Sequence, residues 1–141
     1  MTRDEIVALF ARRQEAANRR DAMAMASCHA EDGVAESPIA GGTVVGRSAI
    51  EQTYRAFVTA FPDLKTETEE LVIDGDKAAW LFTISGTDQG GFMGLRPTGK
   101  PFFARMATVS LLRNGEIAHE RRVYDFTGLL VQVGLLKTKP A

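Results

Sequence analysis

Residues 115–136 read GEIAHERRVYDFTGLLVQVGLL. The Asn114-Gly115 pair at its head is the strongest short hairpin signal a sequence offers, because both residues tolerate the positive φ that a tight two-residue turn needs. Glu116 to Phe126 then reads as a strand running antiparallel to Phe102–Leu112, and Thr127 to Val133 as a last helical turn. This strand carries an aromatic–acid pair, Tyr124 and Asp125, to the mouth of an apolar segment. A carboxyl delivered there is well placed to act as an acid or a base.

Outward from the hairpin, the alternating period continues towards the N-terminus. Lys65 to Ile73 reads as a strand, Asp74-Gly75-Asp76 as a tight turn, and Lys77 to Asp88 as the next strand, with Trp80, Phe82, Ile84 and Asp88 on one face. Gly90 to Lys100, with Gly90, Gly91, Gly94, Gly99 and Pro97, reads as a loop. Before Pro62 the period is helical. Thr2 and Glu5 form a capping-box pair ahead of Ile6, Leu9, Phe10, Ala16 and Ala17, a first helix running to about Arg20. Asp21 caps a short second helix with Ala22, Met25 and Ala26 on one face. Asp32-Gly33 ends it, and a short strand, Val34–Glu36, precedes a break at Pro38 and Gly41-Gly42. Ser48 and Glu51 suggest a second capping box for a third helix, whose stripe of Ile50, Tyr54, Phe57, Val58 and Phe61 stops at Pro62. Three helices followed by a meander of long strands predict an α+β fold in a single domain, 1–141, with the helices filling the concave face of a curved sheet. A pocket is expected between the two layers.

Composition bounds the function. With 141 residues, 45% of them hydrophobic, the chain suits one domain with a substantial core. Its 17 basic and 18 acidic residues form no basic stripe interleaved with aromatics, so nucleic acid is not an expected partner. A single cysteine, Cys28, excludes an internal disulfide and an all-cysteine metal site. Arg3, Asp4 and Glu5 do not suit a secretory signal, and no apolar run approaches the roughly 20 residues of a membrane helix. A soluble cytoplasmic domain without membrane partners is the expectation.

Four segments carry a family resemblance: GRSAIEQTYRAF at 46–57, AFPDL at 60–64, SGTDQGGFMGLRPTGK at 85–100 and NGEIAHERRVYDFTGLLVQVG at 114–134. Together they resemble the SnoaL-like polyketide cyclase family of the nuclear transport factor 2-like (ketosteroid isomerase-like) superfamily. PTGK at 97–100 and YDFTGLLVQVG at 124–134 are the most specific pieces. The resemblance implies a cone-shaped α+β barrel around a deep apolar pocket, a homodimer formed through the outer sheet face, and chemistry needing neither metal nor organic cofactor. It also implies that the aspartate near the end of the last strand is the acid/base of an intramolecular aldol closure, and Asp125 holds that position. This sequence departs from the pattern twice: Asp88 stands where many relatives carry histidine, and Tyr124 where tryptophan is common.

Asp125 is therefore the leading candidate for proton transfer. The alternatives are that it pairs with an arginine or caps the turn that begins at Thr127. Arg105 interrupts the apolar strand FFARMATVSLL, so it faces either solvent or a carboxylate such as Asp125 or Asp88. Asp88 is either a pocket-rim carboxylate, which would give two carboxyls able to split into acid and base, or a solvated strand end. Tyr54, Phe57, Trp80 and Phe82 are the candidate substrate-binding residues, although aromatics at these spacings are also ordinary core. His119 shares strand parity with Asp125 but lies roughly 20 Å along the strand. His29 and Cys28 form no recognisable nucleophile pattern. Gly94 to Lys100 mimics the opening of a phosphate-binding loop, but Pro101 replaces the required Ser/Thr and a strand follows where a helix is needed.

The expected function is a small-molecule enzyme of the cyclase or isomerase type. It would use Asp125 on an apolar carbonyl-bearing substrate, with Arg105 and Asp88 in support. Two alternatives stay open: a non-catalytic ligand-binding or dimerisation module, and epoxide hydrolysis if Asp125, Arg105 and Asp88 converge on one water.

Overall fold

Thr2 and Glu5 form the capping box the sequence calls for: the Thr2 hydroxyl accepts from the Glu5 amide at 3.1 Å, and the Glu5 carboxylate accepts from the Thr2 amide at 2.9 Å. They start α1, Arg3–Asn18, in a computed structural model that describes residues 1–39 and 42–137. Asp21 caps α2, Ala22–Ala26, by accepting from the Ala24 amide at 3.0 Å. The third helix, α3, spans Arg47–Ala60. The second capping box is not formed, because the helix begins earlier. Gly46 is its N-cap, at a φ of 96° that disfavours any side chain, and its amide is held by the Gly33 carbonyl at 2.7 Å.

Six strands follow the helices or interleave with them: β1 His29–Ser37, β2 Gly42–Val45, β3 Lys65–Asp74, β4 Lys77–Thr87, β5 Pro101–Arg113 and β6 Glu116–Tyr124. They form one sheet in the order β2-β1-β6-β5-β4-β3, antiparallel throughout except for the parallel β1–β6 pair. A last helix, α4, spans Phe126–Gln132. The architecture is the expected α+β one, a curled sheet packed on helices. Two expectations about the N-terminal half are corrected. Asp32-Gly33 does not end a helix but lies inside β1, and the chain after Pro38 re-enters the sheet as β2. Gly41 and the tail beyond residue 137 lie outside the described residues.

Alternation decides which side chains face the helices. The even-numbered residues of β4 and β5 point inward, so Trp80, Phe82, Ile84, Phe102, Met106 and Leu112 meet Ile6, Leu9 and Phe10 of α1 in the main core. Phe10 packs on Trp80 with ring centroids 5.5 Å apart, and Trp80 stacks on Phe82 at 4.1 Å. No helix among the described residues is long and apolar enough to cross a membrane.

Asp88 also follows the inward parity and is fully buried, but it does not serve the pocket rim. Its carboxylate accepts from the Gly91 amide at 3.1 Å and from the Thr98 amide and hydroxyl at 3.2 and 3.1 Å. One side chain thereby ties both ends of the 90–99 loop. Phe92, carried by that loop, is set against Phe57, Phe61 and Phe126. Asp88→Ala leaves two amides and a hydroxyl without their acceptor and should cost about 1–3 kcal/mol, read from urea unfolding. Asp88→Asn, which keeps one acceptor oxygen, should cost less.

Candidate functional site

The site is assembled by strand parity on β6 and by one misfit on α1. Glu120, Arg122 and Tyr124 alternate onto the inner face of β6, beside Ser110, Thr108 and Met106 of β5. Arg13 lies on the same helical stripe as Leu9, Phe10, Ala16 and Ala17, so α1 pushes a guanidinium into the core with its apolar face. The side chains of Arg13 and Glu120 are 4% and 0% exposed. Each needs the other, because an unpaired charge at that depth is very costly.

Both oxygens of Glu120 accept two hydrogen bonds. Oε1 takes Arg13 Nη2 at 2.7 Å and Arg122 Nε at 2.9 Å, while Oε2 takes Arg13 Nη1 and, at 3.2 Å, the Ser110 hydroxyl. Arg122 also donates through Nη1 to the Thr53 hydroxyl of α3 at 2.9 Å. Its guanidinium lies over the Tyr54 ring at 4.6 Å, and Arg13 approaches the same ring at 5.6 Å and Trp80 at 5.1 Å. Burial alone would raise the Glu120 pKa, but the Arg13 and Arg122 charges outweigh it and hold the carboxyl well below its ordinary range.

Behind Tyr54, its hydroxyl and His29 Nε2 share a 2.7 Å hydrogen bond. Burial, aided by the positive charges of Arg13, Arg122 and Arg47 and opposed by Glu120, lowers the His29 pKa to about 3, so the imidazole is neutral. Burial raises the Tyr54 pKa. At Tyr124 burial pushes the phenol up to about 12, opposed by the nearby Ser37 hydroxyl, which falls short of hydrogen-bond geometry, and by the Arg122 charge.

These groups border a cavity of about 70 Å³ whose wall is mostly apolar: Phe57, Leu64, Trp80, Phe82, Ile84 and Met106 contribute most of it. Three polar atoms of residues lining it are buried and have no hydrogen-bond partner among the described residues: Thr108 Oγ1, Arg122 Nη2 and the Tyr124 hydroxyl. Thr108 is paired across the ladder with Arg122, and Met106 with Tyr124, so the three belong to adjacent positions of one wall. A buried N–H or O–H without a partner is costly. Grouped on one cavity wall, they suit an oxygen atom of a bound molecule. Among the described residues no three His, Cys, Asp or Glu side chains gather as a metal ion would require.

The candidates from the sequence fall in different places. Tyr54, Phe57, Trp80 and Phe82 line the cavity. Asp125 is exposed and is the N-cap of α4, its Oδ1 accepting from the Gly128 amide at 2.8 Å. Tyr124 turns inward, so its neighbour turns outward. Arg105 faces solvent, 76% exposed, and donates to Glu69 of β3 at 2.9 Å. The structure does not bring Asp125, Arg105 and Asp88 together; each is bound to a different partner, so the shared-water arrangement needed for epoxide opening is not built. His119 sits on the outer side with Arg121, both on Glu36, and Cys28 is buried. Sequence reading missed Arg13, Glu120 and Arg122. The signal for Arg13 was present, a charge at the centre of an otherwise apolar helical stripe.

The family model described as SnoaL-like polyketide cyclase matches residues 8–133. No curated protein matches the chain in sequence. Among solved structures, AclR of Streptomyces galilaeus, assigned as a candidate hydroxylase, is 26% identical, with a TM-score of 0.83 over 96% of this chain and 100% of that one. IdmH of Streptomyces antibioticus, a candidate polyketide cyclase, is 27% identical, with a TM-score of 0.76 over 91% of this chain and 97% of that one. TsrD of Streptomyces laurentii is 24% identical, with a TM-score of 0.85 over 96% and 99% of the two chains, and shares the fold.

Two stability measurements test this account of the buried cluster. Glu120→Gln leaves Arg13 and Arg122 without their counter-charge and should cost about 3–5 kcal/mol in urea unfolding. His29 gives a pH signature. Its pKa of about 3 in the native state against 6.5 ordinarily means that the unfolded chain binds more protons between those values. Stability from this group is therefore complete above pH 6.5 and is lost as the pH falls, by about 1.4 kcal/mol per pH unit. His29→Asn should remove that slope between pH 6.5 and about pH 5, a window above the range in which Glu120 titrates.

Proposed function

Because the chain belongs to the SnoaL-like polyketide cyclase family, we propose that it is a small-molecule enzyme of the cyclase or isomerase type, acting on an apolar, carbonyl-bearing substrate. The observation that carries this reading is a pair of donors on residues that line the cavity, Arg122 Nη2 and the Tyr124 hydroxyl, without a partner among the described residues. A carbonyl oxygen placed against them gains more hydrogen-bond stabilisation as it becomes an enolate or alkoxide than it has as a ketone. Donors fixed in advance in a water-poor site favour that change in charge, which is oxyanion-type catalysis. Tyr124, with a pKa near 12, keeps its proton at neutral pH and so remains a donor. Arg122 is held in place by Glu120 and Thr53, so little reorganisation accompanies the charge change.

Glu120 is the carboxylate that bonds the two arginines lining the cavity, and both its oxygens are occupied. This supports a division of labour in which the site supplies electrophilic assistance, and the proton leaves an already acidic carbon to solvent or to a basic group of the substrate. Asp125 is exposed and its Oδ1 accepts from the Gly128 amide, which supports its assignment to the α4 cap. We also propose that the outer sheet face, where Leu81, Val109, Leu111 and Val123 are exposed, receives a second copy of the chain.

The enzyme reading is tested without knowing the natural substrate, by following deuterium incorporation at C1 of 2-tetralone in D₂O. The protein should accelerate exchange over buffer, and Arg122→Gln should lose about 10²–10³-fold of that acceleration, the usual effect of one oxyanion donor. Tyr124→Phe should lose less, and Asp125→Asn should exchange like the unaltered protein. Loss confined to Asp125→Asn would return the base to that residue. A rate equal to buffer across a panel of aryl ketones would favour a ligand-binding module. For the assembly, light scattering should give twice the mass of the chain, falling to one chain in Val109→Glu.

A further inference from the structure

The charge of the buried cluster is not balanced from within. Arg13 and Arg122 contribute two positive charges, and they are the charged residues among those lining the cavity. The carboxylate they share, Glu120, contributes one negative charge. The remaining titratable groups packed against them are neutral at pH 7. His29 is held there with a pKa of about 3, Tyr124 with a pKa near 12, and Tyr54 by a phenol pKa raised further through burial. Arg47, farther out, is matched by Glu116 at 2.7 Å. The cavity therefore carries a formal excess of one positive charge, on a guanidinium only 13% exposed. The Nη2 of that guanidinium is fully buried and has no partner among the described residues.

A buried cation with a free N–H is among the costliest arrangements a core can hold, and a bound anion relieves it. The rest of the wall rejects a small hydrated ion. The Trp80–Phe82 stack, Phe57, Leu64 and Met106 offer only dispersion and hydrophobic contact. The anion that suits both parts has a flat apolar body and a single ionised oxygen-bearing group.

Resting on the reading of the cavity as a ligand site, and naming its ligand class, we propose that the site binds aromatic or polycyclic organic monoanions in preference to their neutral analogues. The ionised oxygen, of a carboxylate, a phenolate or a stabilised enolate, lies against Arg122 Nη2 with the Thr108 and Tyr124 hydroxyls beside it, and the ring system lies along Trp80 and Phe82. For an enolisable 1,3-dicarbonyl compound, the form bound is then the enolate itself. The site thereby favours the enolate over the neutral keto and enol forms, which is consistent with a cavity whose adjoining carboxylate is fully engaged.

The test compares 2-naphthoate, a monoanion, with 2-naphthamide, its neutral analogue of nearly equal shape, by isothermal titration calorimetry. Site occupancy is reported by the indole N–H resonance of Trp80, the single tryptophan of the chain, whose Nε1 donates to Thr68 at 2.9 Å. Naphthoate should bind about 10- to 100-fold more tightly than the amide, the worth of one charge-assisted hydrogen bond, and should shift the Trp80 resonance. Arg122→Gln should bring the two affinities together while the amide still shifts Trp80, and Arg122→Lys should keep part of the preference. Equal affinities in the unaltered protein, tighter binding of the amide, no binding of naphthoate at millimolar concentration, or binding that leaves Trp80 unmoved would each overturn the inference. This comparison needs no variant, so it stands even if Arg122→Gln does not fold. Naphthoate preference without 2-tetralone exchange would retain the ligand class and remove the enzyme reading, and exchange without the preference would do the reverse.

Discussion

The Arg13–Glu120–Arg122 cluster is the interaction on which the arrangement of the layers depends. It joins α1 to β6, reaches β5 through Ser110, and reaches α3 through Thr53 and Tyr54. Such a cluster is a poor way to gain stability, since desolvating the ions offsets most of their attraction and a well-packed apolar replacement is often as stable. What it does provide is position. A guanidinium held on one side by a carboxylate and on another by a hydroxyl, over an aromatic face, stays fixed beside the cavity it lines.

The inner and outer faces of the sheet use the same residue types for different ends. On the inner face, arginine and glutamate are buried, coupled and few. On the outer face Arg105–Glu69 and the Glu36 pairs with His119 and Arg121 are solvated and contribute little individually. Between them the outer strands expose Leu81, Val109 and Val123, an apolar content that a solvated face does not require. Asp88 and Asp125, each one residue past the end of a strand, both cap backbone: one closes the 90–99 loop and the other starts α4. Their work is to fix Phe92 and Phe126, which pack on each other and on Phe57 and Tyr124 of the cavity wall.

Much of the fold could be read from the chain alone because local rules and burial agree there. The Thr2–Glu5 box, the Asp21 cap, the Asp74–Asp76 and Asn114-Gly115 turns, and the alternation of β4 and β5 all lie in the structure as their spacing implies. Reading failed in the N-terminal half where geometry depends on partners distant in sequence. The strand β1 begins at His29 because β6 is there to pair with it, and Gly46 rather than Ser48 starts α3 because Gly33 holds its amide.

The site shows the division most clearly. Sequence by itself determined the α+β class and the family. It did not determine which side chains of β6 face the cavity. Ile117 is fully buried, and strict alternation from it would turn His119, Arg121, Val123 and Asp125 inward. The ladder instead shifts register between Leu111 and Leu112, pairing Leu112 with Ile117 but Leu111 with His119, so one extra residue enters β6. A single-residue bulge exchanges the faces of everything beyond it. It sends Glu120, Arg122 and Tyr124 into the cavity and Asp125 out to cap a helix. No period in the sequence marks that extra residue, because its position is decided by how β6 fits between β1 and β5.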